Sequence, residues 1–340
     1  ATVQSTGETI TRFTGTESAW RVATLSFLGV QCQSWLNRPM LRRAFQTFAM
    51  LLLLGSGLTQ AQDTEPRSWT HLPVGTNVLG AVLGVGQGDI FLDPALEIED
   101  AEFETYTLGA SFVHSFDFLG RTARFDVVVP YTMGRWEGLL SGEPASTRRH
   151  GFRDPTLRLS WLLYGGEALT PQEFAAAPRS NTVVGAGIMV RPPLGEYYGE
   201  RLINLGTNRW TVRPQLGVTH TRNAWTYELT GSVFIYSDND DLVGSTLKWD
   251  PLWAIQGHLI RSLGRGRWAS LSSAWGAGAD VRIDGVDRPQ ATENWLIALA
   301  FGMPLSPRHS FKIAWVRGQT QRNEGSDFDS LSVGFSWVLP

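Results

Sequence analysis

The chain has 340 residues with 36 Gly, 14 Trp and 17 Phe, only 18% charged residues and a formal net charge of −3. A near-neutral chain lacks the basic face that nucleic acid requires, so no nucleic-acid partner is expected. No run of eighteen apolar residues occurs, which excludes a membrane-spanning helix; the longest run, Phe48 to Leu54, is too short.

The first readable element in chain order is a leader. Met40 is followed by Leu41, Arg42 and Arg43, then by "AFQTFAMLLLLGSGLTQAQ", with small residues at Thr59 and Ala61. A positive start, an apolar stretch and a small-residue cleavage site predict a secretory signal peptide over 40–61. Residues 1–39 show no clear periodicity and read as a non-native upstream extension; the alternative is a short N-terminal domain before a buried apolar helix. On the first reading the mature protein is 62–340. The single cysteine, Cys32, then falls outside it, so disulfide, zinc-thiolate and cysteine-nucleophile chemistry are not expected there.

From Asn77 onward, apolar residues recur at every second position in segments of about ten residues, the period of a strand with one oily and one wet face. Leu79, Ala81, Leu83 and Val85 share a face, then Tyr106, Leu108, Ala110 and Phe112. Ala123, Phe125, Val127, Val129 and Tyr131 follow, then Leu157, Leu159, Trp161 and Leu163. Asn181–Arg191 is a fifth strand with weaker alternation. In the sixth, Trp210, Val212, Leu216 and Val218 oppose Arg213 and Gln215, and Pro214 suggests a bulge because it lacks an N–H. Trp225, Tyr227, Leu229, Val233 and Ile235 form a seventh oily face, and Trp253, Ile255 and Leu259 an eighth. A Ser-, Gly- and Ala-rich segment spans Trp268 to Asp280. The last three oily faces are Trp295 to Phe301, Phe311 to Trp315, and Leu331 to Trp337. About twelve strands and no convincing amphipathic helix make the fold all-β.

Connection lengths separate a soluble sandwich from a membrane barrel. Long connections are expected at about 86–103, 135–153, 192–208, 237–251, 281–293 and 319–328, alternating with short ones at 116–120, 221–223, 264–266 and 304–308; only 165–180 breaks the rule. Membrane barrels sort their turns in this way. The prediction is a transmembrane antiparallel up-and-down β-barrel of about twelve strands. Tyr131, Trp210, Trp225, Trp253, Trp268 and Trp295, near strand ends, are expected to form aromatic girdles at headgroup level. Arg124, Asp126, Arg158, Arg213, Gln215, Glu228, Gln256, His258 and Lys312 fall on the opposite face and are expected to line the lumen. They would serve there as a charge-paired lock or as a selective constriction.

Enzyme signatures are weak. "GVGQGD" at 84–89 fails the spacing of a dinucleotide loop, and no H-E-x-x-H or G-x-S-x-G occurs. A barrel phospholipase would need a Ser two residues after its His, but Arg222 stands two residues after His220. Acidic residues crowd the first expected outer loop (Asp89, Asp93, Glu97, Glu99, Asp100, Glu102 and Glu104) and "SDNDD" at 237–241. Neither cluster completes a calcium loop, so both read as solvated charge. Asp93-Pro94, Asp154-Pro155 and Asp250-Pro251 read as turn or strand-entry devices. No catalytic residue, metal or cofactor is expected.

Several stretches resemble one bacterial family: "GTNVLG" at 75–80, "GRTARFDVVVPY" at 120–131, "GFRDP" at 151–155, "RPPLGEYYGERLINLGTNRWTVRPQLG" at 191–217 and "WDPLWAIQGHL" at 249–259. This is the family of the MetA pathway of phenol degradation, and the resemblance covers nearly all of 62–340. It implies an outer-membrane barrel, reached through the barrel-insertion machinery and surrounded by outer-membrane lipid. It also implies passage of phenolic or other aromatic compounds. The function expected is passive passage of small apolar or aromatic solutes; the alternative is a plugged barrel with a structural or binding role.

Overall fold

The structure, a computed structural model, describes residues 64–91, 98–178, 180–201, 203–288 and 292–339. The expected signal peptide over 40–61, the upstream segment 1–39, and Asp93, Pro94 and Glu97 lie outside the described residues.

Alternating sequence becomes strand along almost the whole described chain. The strands are β1 Asn77–Phe91, β2 Ile98–Phe118, β3 Arg121–Leu140, β4 Glu143–Phe152, β5 Thr156–Tyr164 and β6 Thr182–Arg191. They continue with β7 Thr211–Arg222, β8 Trp225–Tyr236, β9 Asn239–Leu242, β10 Ser245–Trp249, β11 Leu252–Gly264 and β12 Arg267–Gly278. The last are β13 Val281–Ile283, β14 Val286–Arg288, β15 Thr292–Pro304, β16 His309–Thr320 and β17 Gly325–Val338. A short helix, α1, spans Pro171–Ala176.

The main sheet closes on itself. Sequence neighbours pair antiparallel all the way round, β17 returns to β1, and β2 pairs with both β1 and β3. β4 and β5 share one position, β4 against the upper half of β3 and β5 against its lower half. The break between them falls at Arg153-Asp154-Pro155, where proline can give no ladder hydrogen bond. The result is one closed antiparallel barrel of 12 staves. Closure gives every stave two hydrogen-bonded neighbours, which a chain in hydrocarbon needs. β9, β10, β13 and β14 form a separate small sheet from two of the long connections.

Burial alternates along each stave, and the exposed set is the oily one. Leu83 is 60% exposed, Leu216 63% and Trp253 65%, while Arg213, Glu228 and Gln256 on the other face are buried. An oily exterior around a polar interior is the arrangement of a membrane barrel, since soluble monomers rarely expose apolar surface so continuously.

The two ends differ. One, here the base, carries the short turns at Leu119-Gly120, Asn223-Ala224 and Arg265-Gly266, with Asn77 and Val338 beside them. The other, the mouth, carries the longer connections. Three of these are not loops. β1 and β2 run far into 86–103, β3 and β4 form a hairpin closed at Ser141-Gly142 across 135–153, and β16 and β17 leave only 321–324 between them. Leu119, Gly120, Ser141 and Gly142 all have positive φ, the two-residue turn whose twist matches that of its strands. The acidic residues Asp89, Glu99, Asp100, Glu102 and Glu104 accordingly lie on β1 and β2 rather than in a loop.

Other expectations also change. "SDNDD" is not solvated throughout: Asn239 begins β9, is buried, and bonds Asn208, Tyr197 and the Thr207 carbonyl. Pro214 makes no bulge, because the β7–β8 register runs from Val212↔Ile235 to Gln215↔Ser232, three residues on each strand. The helix α1 lies in the connection that broke the length rule. It starts with Thr170 and Glu173 capping each other and Pro171 in its first turn. That connection clamps the chain entering β1: Val74 N donates to the Leu169 carbonyl, His71 bonds the Glu167 carbonyl, and the His71 ring meets Phe174 edge-on.

Candidate functional site

Of the nine residues expected in the lumen, Arg213, Gln215, Glu228, Gln256 and His258 are buried, Arg124 and Asp126 flank the exposed Phe125, Arg158 adjoins the exposed Leu159, and Lys312 pairs with Gly334 rather than with the exposed Phe335. They do not form one cluster. Near the base, Arg124 pairs with Asp126 at 2.8 Å. Arg213 donates to Ser232 Oγ at 3.0 Å and to Gln256 Oε1 at 3.3 Å, with its guanidinium over the Phe234 ring. His258 shares a 2.8 Å hydrogen bond with Ser272. Gln215 is buried beside this group on β7.

Arg158, Glu228 and Lys312 meet something that periodicity did not predict. The segment before β1 enters the lumen and occupies it. Trp69 is 1% exposed, donates from Nε1 to Thr230 Oγ1 at 2.8 Å, carries the Arg158 guanidinium over its ring and packs on Leu162 and Val183. Gly185 and Gly217 make room for the indole, since a methyl group at either would overlap it. Ser68 N donates to Glu228 Oε1 at 3.1 Å, and Lys312 Nζ reaches Glu65 at 2.6 Å. The lone signal for this plug was a Trp in "EPRSWTHLP" with no alternating pattern around it.

Of the girdle candidates, Trp210, Trp253 and Trp295 project outward at the mouth end and are exposed. Trp225 projects outward at the base under Arg261, and Tyr131 projects outward against Phe152. Trp268 is a correction. Even-numbered positions of β12 point inward, so its ring lies over Gly302 in the lumen and carries Arg67 of the plug segment.

Above the plug, one side of the lumen stays open. Inward positions there are small: Gly84 and Gly86 on β1, Thr105 and Thr107 on β2, Ser330 and Ser332 on β17. They border a cavity of about 330 Å³, walled by Phe103, Trp136 and Phe328 and hydroxyl-lined at Thr132. That size suits a ring-sized solute. An apolar cluster of Ile90, Ala101, Trp136, Ile203 and Leu205 closes it toward the mouth. A larger depression, about 590 Å³, lies on the outer wall around Leu229, Gly257, Leu271 and Ile297.

Arg153, in the break between β4 and β5, also lines the cavity. Its neighbour Asp154 is more than a turn device. Buried at 3% exposure, it accepts from Gly195 N, Thr207 N and Thr207 Oγ1, each within 2.8 Å. It thereby pins the connection 192–210 along the edge of β4, where Glu196 N donates to the Phe152 carbonyl and Arg149 to that of Ile203. In the same connection Arg209 is buried between the Tyr236 and Trp249 rings, at 4.3 and 3.5 Å from their centroids. Burial pushes its guanidinium down to about 10, which leaves it cationic at neutral pH. No group of three or more metal-ligating side chains comes together among the described residues.

Comparisons agree with this architecture. The COG4313 outer membrane channel from Pseudomonas putida F1 superposes with a TM-score of 0.68 at 19% identity, over 82% of this chain and 100% of that one. The transport unit of the autotransporter AIDA-I from Escherichia coli superposes at 0.50 with 8% identity, over 87% and 98%. At such identities the likeness is one of fold. Comparison with curated sequences finds no match. The family model described as "Putative MetA-pathway of phenol degradation" matches residues 72–332, and the chain belongs to that family.

Proposed function

We propose that the protein is an outer-membrane channel, not an enzyme, through which small apolar or aromatic solutes pass without energy coupling. The observation that carries this reading is the lumenal cavity, where Phe103, Trp136 and Phe328 offer ring surfaces beside a row of hydroxyls. Aromatic walls take up the ring and hydroxyls exchange hydrogen bonds with a phenolic group, so a solute can enter without being held tightly. Arg124, Asp126, Arg158, Arg213, Gln215, Glu228, Gln256, His258 and Lys312 line the path and, with the plug, narrow it. Trp210, Trp225, Trp253 and Trp295 with Tyr131 set the barrel's height against lipid headgroups. The family membership and the exposed oily belt support placement in the outer membrane.

A second reading has one observation in its favour. Residues 65–69 fill the lumen from the base, which is what a barrel with a binding or structural role would keep permanently. Planar-bilayer recording distinguishes the two. A channel gives discrete conductance steps that added p-cresol interrupts; a silent barrel, insensitive to p-cresol, would contradict the channel reading.

A further inference from the structure

We propose that one arc of the barrel's base selects anionic phospholipid, setting Arg222, Arg261, Arg265, Arg267 and Arg308 against the phosphates of its headgroups. The inference goes beyond solute passage and rests only on the barrel's placement in a membrane. The hairpins β7–β8, β11–β12 and β15–β16 follow one another round the wall, since β8 pairs with β11 and β12 with β15. Their base turns carry the five arginines, each exposed, and residues 219–227, 260–269 and 303–311 contain no Asp or Glu. Among the described residues none of the five enters an ion pair. The rest of the base is mixed in charge, with Asp117, Arg121, Glu167 and Glu173. A positive arc of this kind is local, because the whole chain has a formal net charge of −3.

Register fixes the height of these charges. Arg222 stands opposite Trp225 and Trp225 opposite Arg261, so the two arginines flank the indole on one outward rung. The Arg261 guanidinium lies over the Trp225 ring, 4.9 Å from its centroid. Tryptophan on the outer wall of a barrel sits at headgroup level, where lipid phosphates lie. Leu263 and Leu305, both about half exposed, stand among the arginines of these turns. Leucine beside arginine suits a lipid interface, where apolar groups and side-chain stems enter while guanidinium heads reach phosphate. A saccharide polymer such as peptidoglycan offers nothing to those leucines. An arginine near an anionic lipid surface gains about fivefold over one near a zwitterionic surface, and its planar fork matches phosphate oxygens.

The test incubates the purified full-length barrel, in neutral detergent, with equal amounts of phosphatidylglycerol and phosphatidylcholine, repurifies it and measures the lipid retained. Phosphatidylglycerol should exceed phosphatidylcholine by about fivefold or more, and high salt should remove most of that excess. Arg222→Gln, Arg261→Gln, Arg265→Gln, Arg267→Gln and Arg308→Gln combined should bring the two lipids level. Arg282→Gln with Arg322→Gln, at the mouth, should leave the excess unchanged; unboiled gel mobility reports whether each variant is folded. If the fivefold variant does not fold, Arg222→Gln with Arg261→Gln decides, and should at least halve the excess. Equal retention of both lipids by wild type, or an undiminished excess in the folded variants, would overturn this inference but leave membrane placement standing. A barrel that retains neither lipid and stays soluble without detergent would overturn both. Sedimentation with purified peptidoglycan, without any phosphatidylglycerol excess, would assign the arc to the cell wall and overturn the lipid reading.

Discussion

Replacing Trp69 by Ala should open the lumen. The indole is almost wholly buried, and its contacts (Thr230, the Arg158 guanidinium, Leu162, Val183) all belong to the barrel wall. Truncating a buried Trp to Ala costs about 3–5 kcal/mol. Here that loss falls on the plug segment, because the staves keep their ladders. What remains to hold residues 65–69 is weaker. The Glu65–Lys312 pair is part-exposed and contributes about 1 kcal/mol or less. The Ser68–Glu228 hydrogen bond adds about 0.5–1.5 kcal/mol, and Arg67 over the Trp268 ring about 0.5–1 kcal/mol. At about 1.4 kcal/mol per factor of ten, release of the segment should rise by a factor on the order of 10² to 10³. Single-channel recording reads this as higher mean conductance and longer open dwells, with unboiled gel mobility confirming an intact barrel. Trp69→Phe, which keeps a ring but loses the hydrogen bond to Thr230, should give a much smaller rise. Gly217→Ala attacks the same contact from the wall, where the new methyl group meets the indole, and should resemble Trp69→Ala. A folded Trp69→Ala barrel with wild-type conductance would refute the argument that Trp69 holds the segment in place.

Three further outcomes follow from single contacts. Asp154→Ala strands three donors, at about 1–3 kcal/mol for each that stays buried, and should free the connection 192–210; limited proteolysis should then cut that connection in a barrel whose wild-type form resists. Lys312→Met breaks the Glu65 pair and should change unfolding midpoint and conductance little, since part-exposed pairs contribute about 1 kcal/mol or less. The Glu173 carboxyl is held below the ordinary carboxylate range by the N–H and hydroxyl of Thr170. Its contribution to the α1 cap is present above the unfolded carboxylate value and disappears as pH falls through the lowered folded one. Amide exchange in α1 should therefore quicken, relative to the staves, under acid conditions, and Thr170→Ala should remove that pH dependence.

The staves were legible because alternation is a consequence of which side faces lipid. Leu79 to Val85, Trp225 to Ile235 and Leu331 to Trp337 each place their oily residues outward as the period demands. The strand ends were harder. Above the lipid the outer face no longer needs to be oily, so Gln87 and Asp89 on β1, or Glu102 and Glu104 on β2, lose the pattern while the ladder continues. The turns at Ser141-Gly142, Val243-Gly244 and Asp284-Gly285 were the missed signal, each a residue followed by Gly with positive φ at both positions. They close the β3–β4, β9–β10 and β13–β14 hairpins.

Inside the barrel, period told which residues turn inward but not which meet. Period turns Arg158 and Glu228 inward, but Arg158 lies over Trp69 and Glu228 accepts from Ser68, both from a segment without alternation. Trp268 looked like a girdle residue because it sits at a strand end; its even position on β12 sets it inward. The cavity was invisible in the sequence for a related reason. It is made by what is absent at Gly84, Gly86, Ser330 and Ser332, and small residues carry little periodic signal.

The channel account stands or falls on entry of an aromatic solute into cells. Intact Gram-negative cells with and without the folded barrel in their outer membrane should be given ring-labelled p-cresol, and the initial rate of uptake measured. The account predicts a rate that rises in proportion to the amount of heat-modifiable barrel present and is depressed by excess unlabelled aromatic solute. Equal rates with and without the barrel would contradict it.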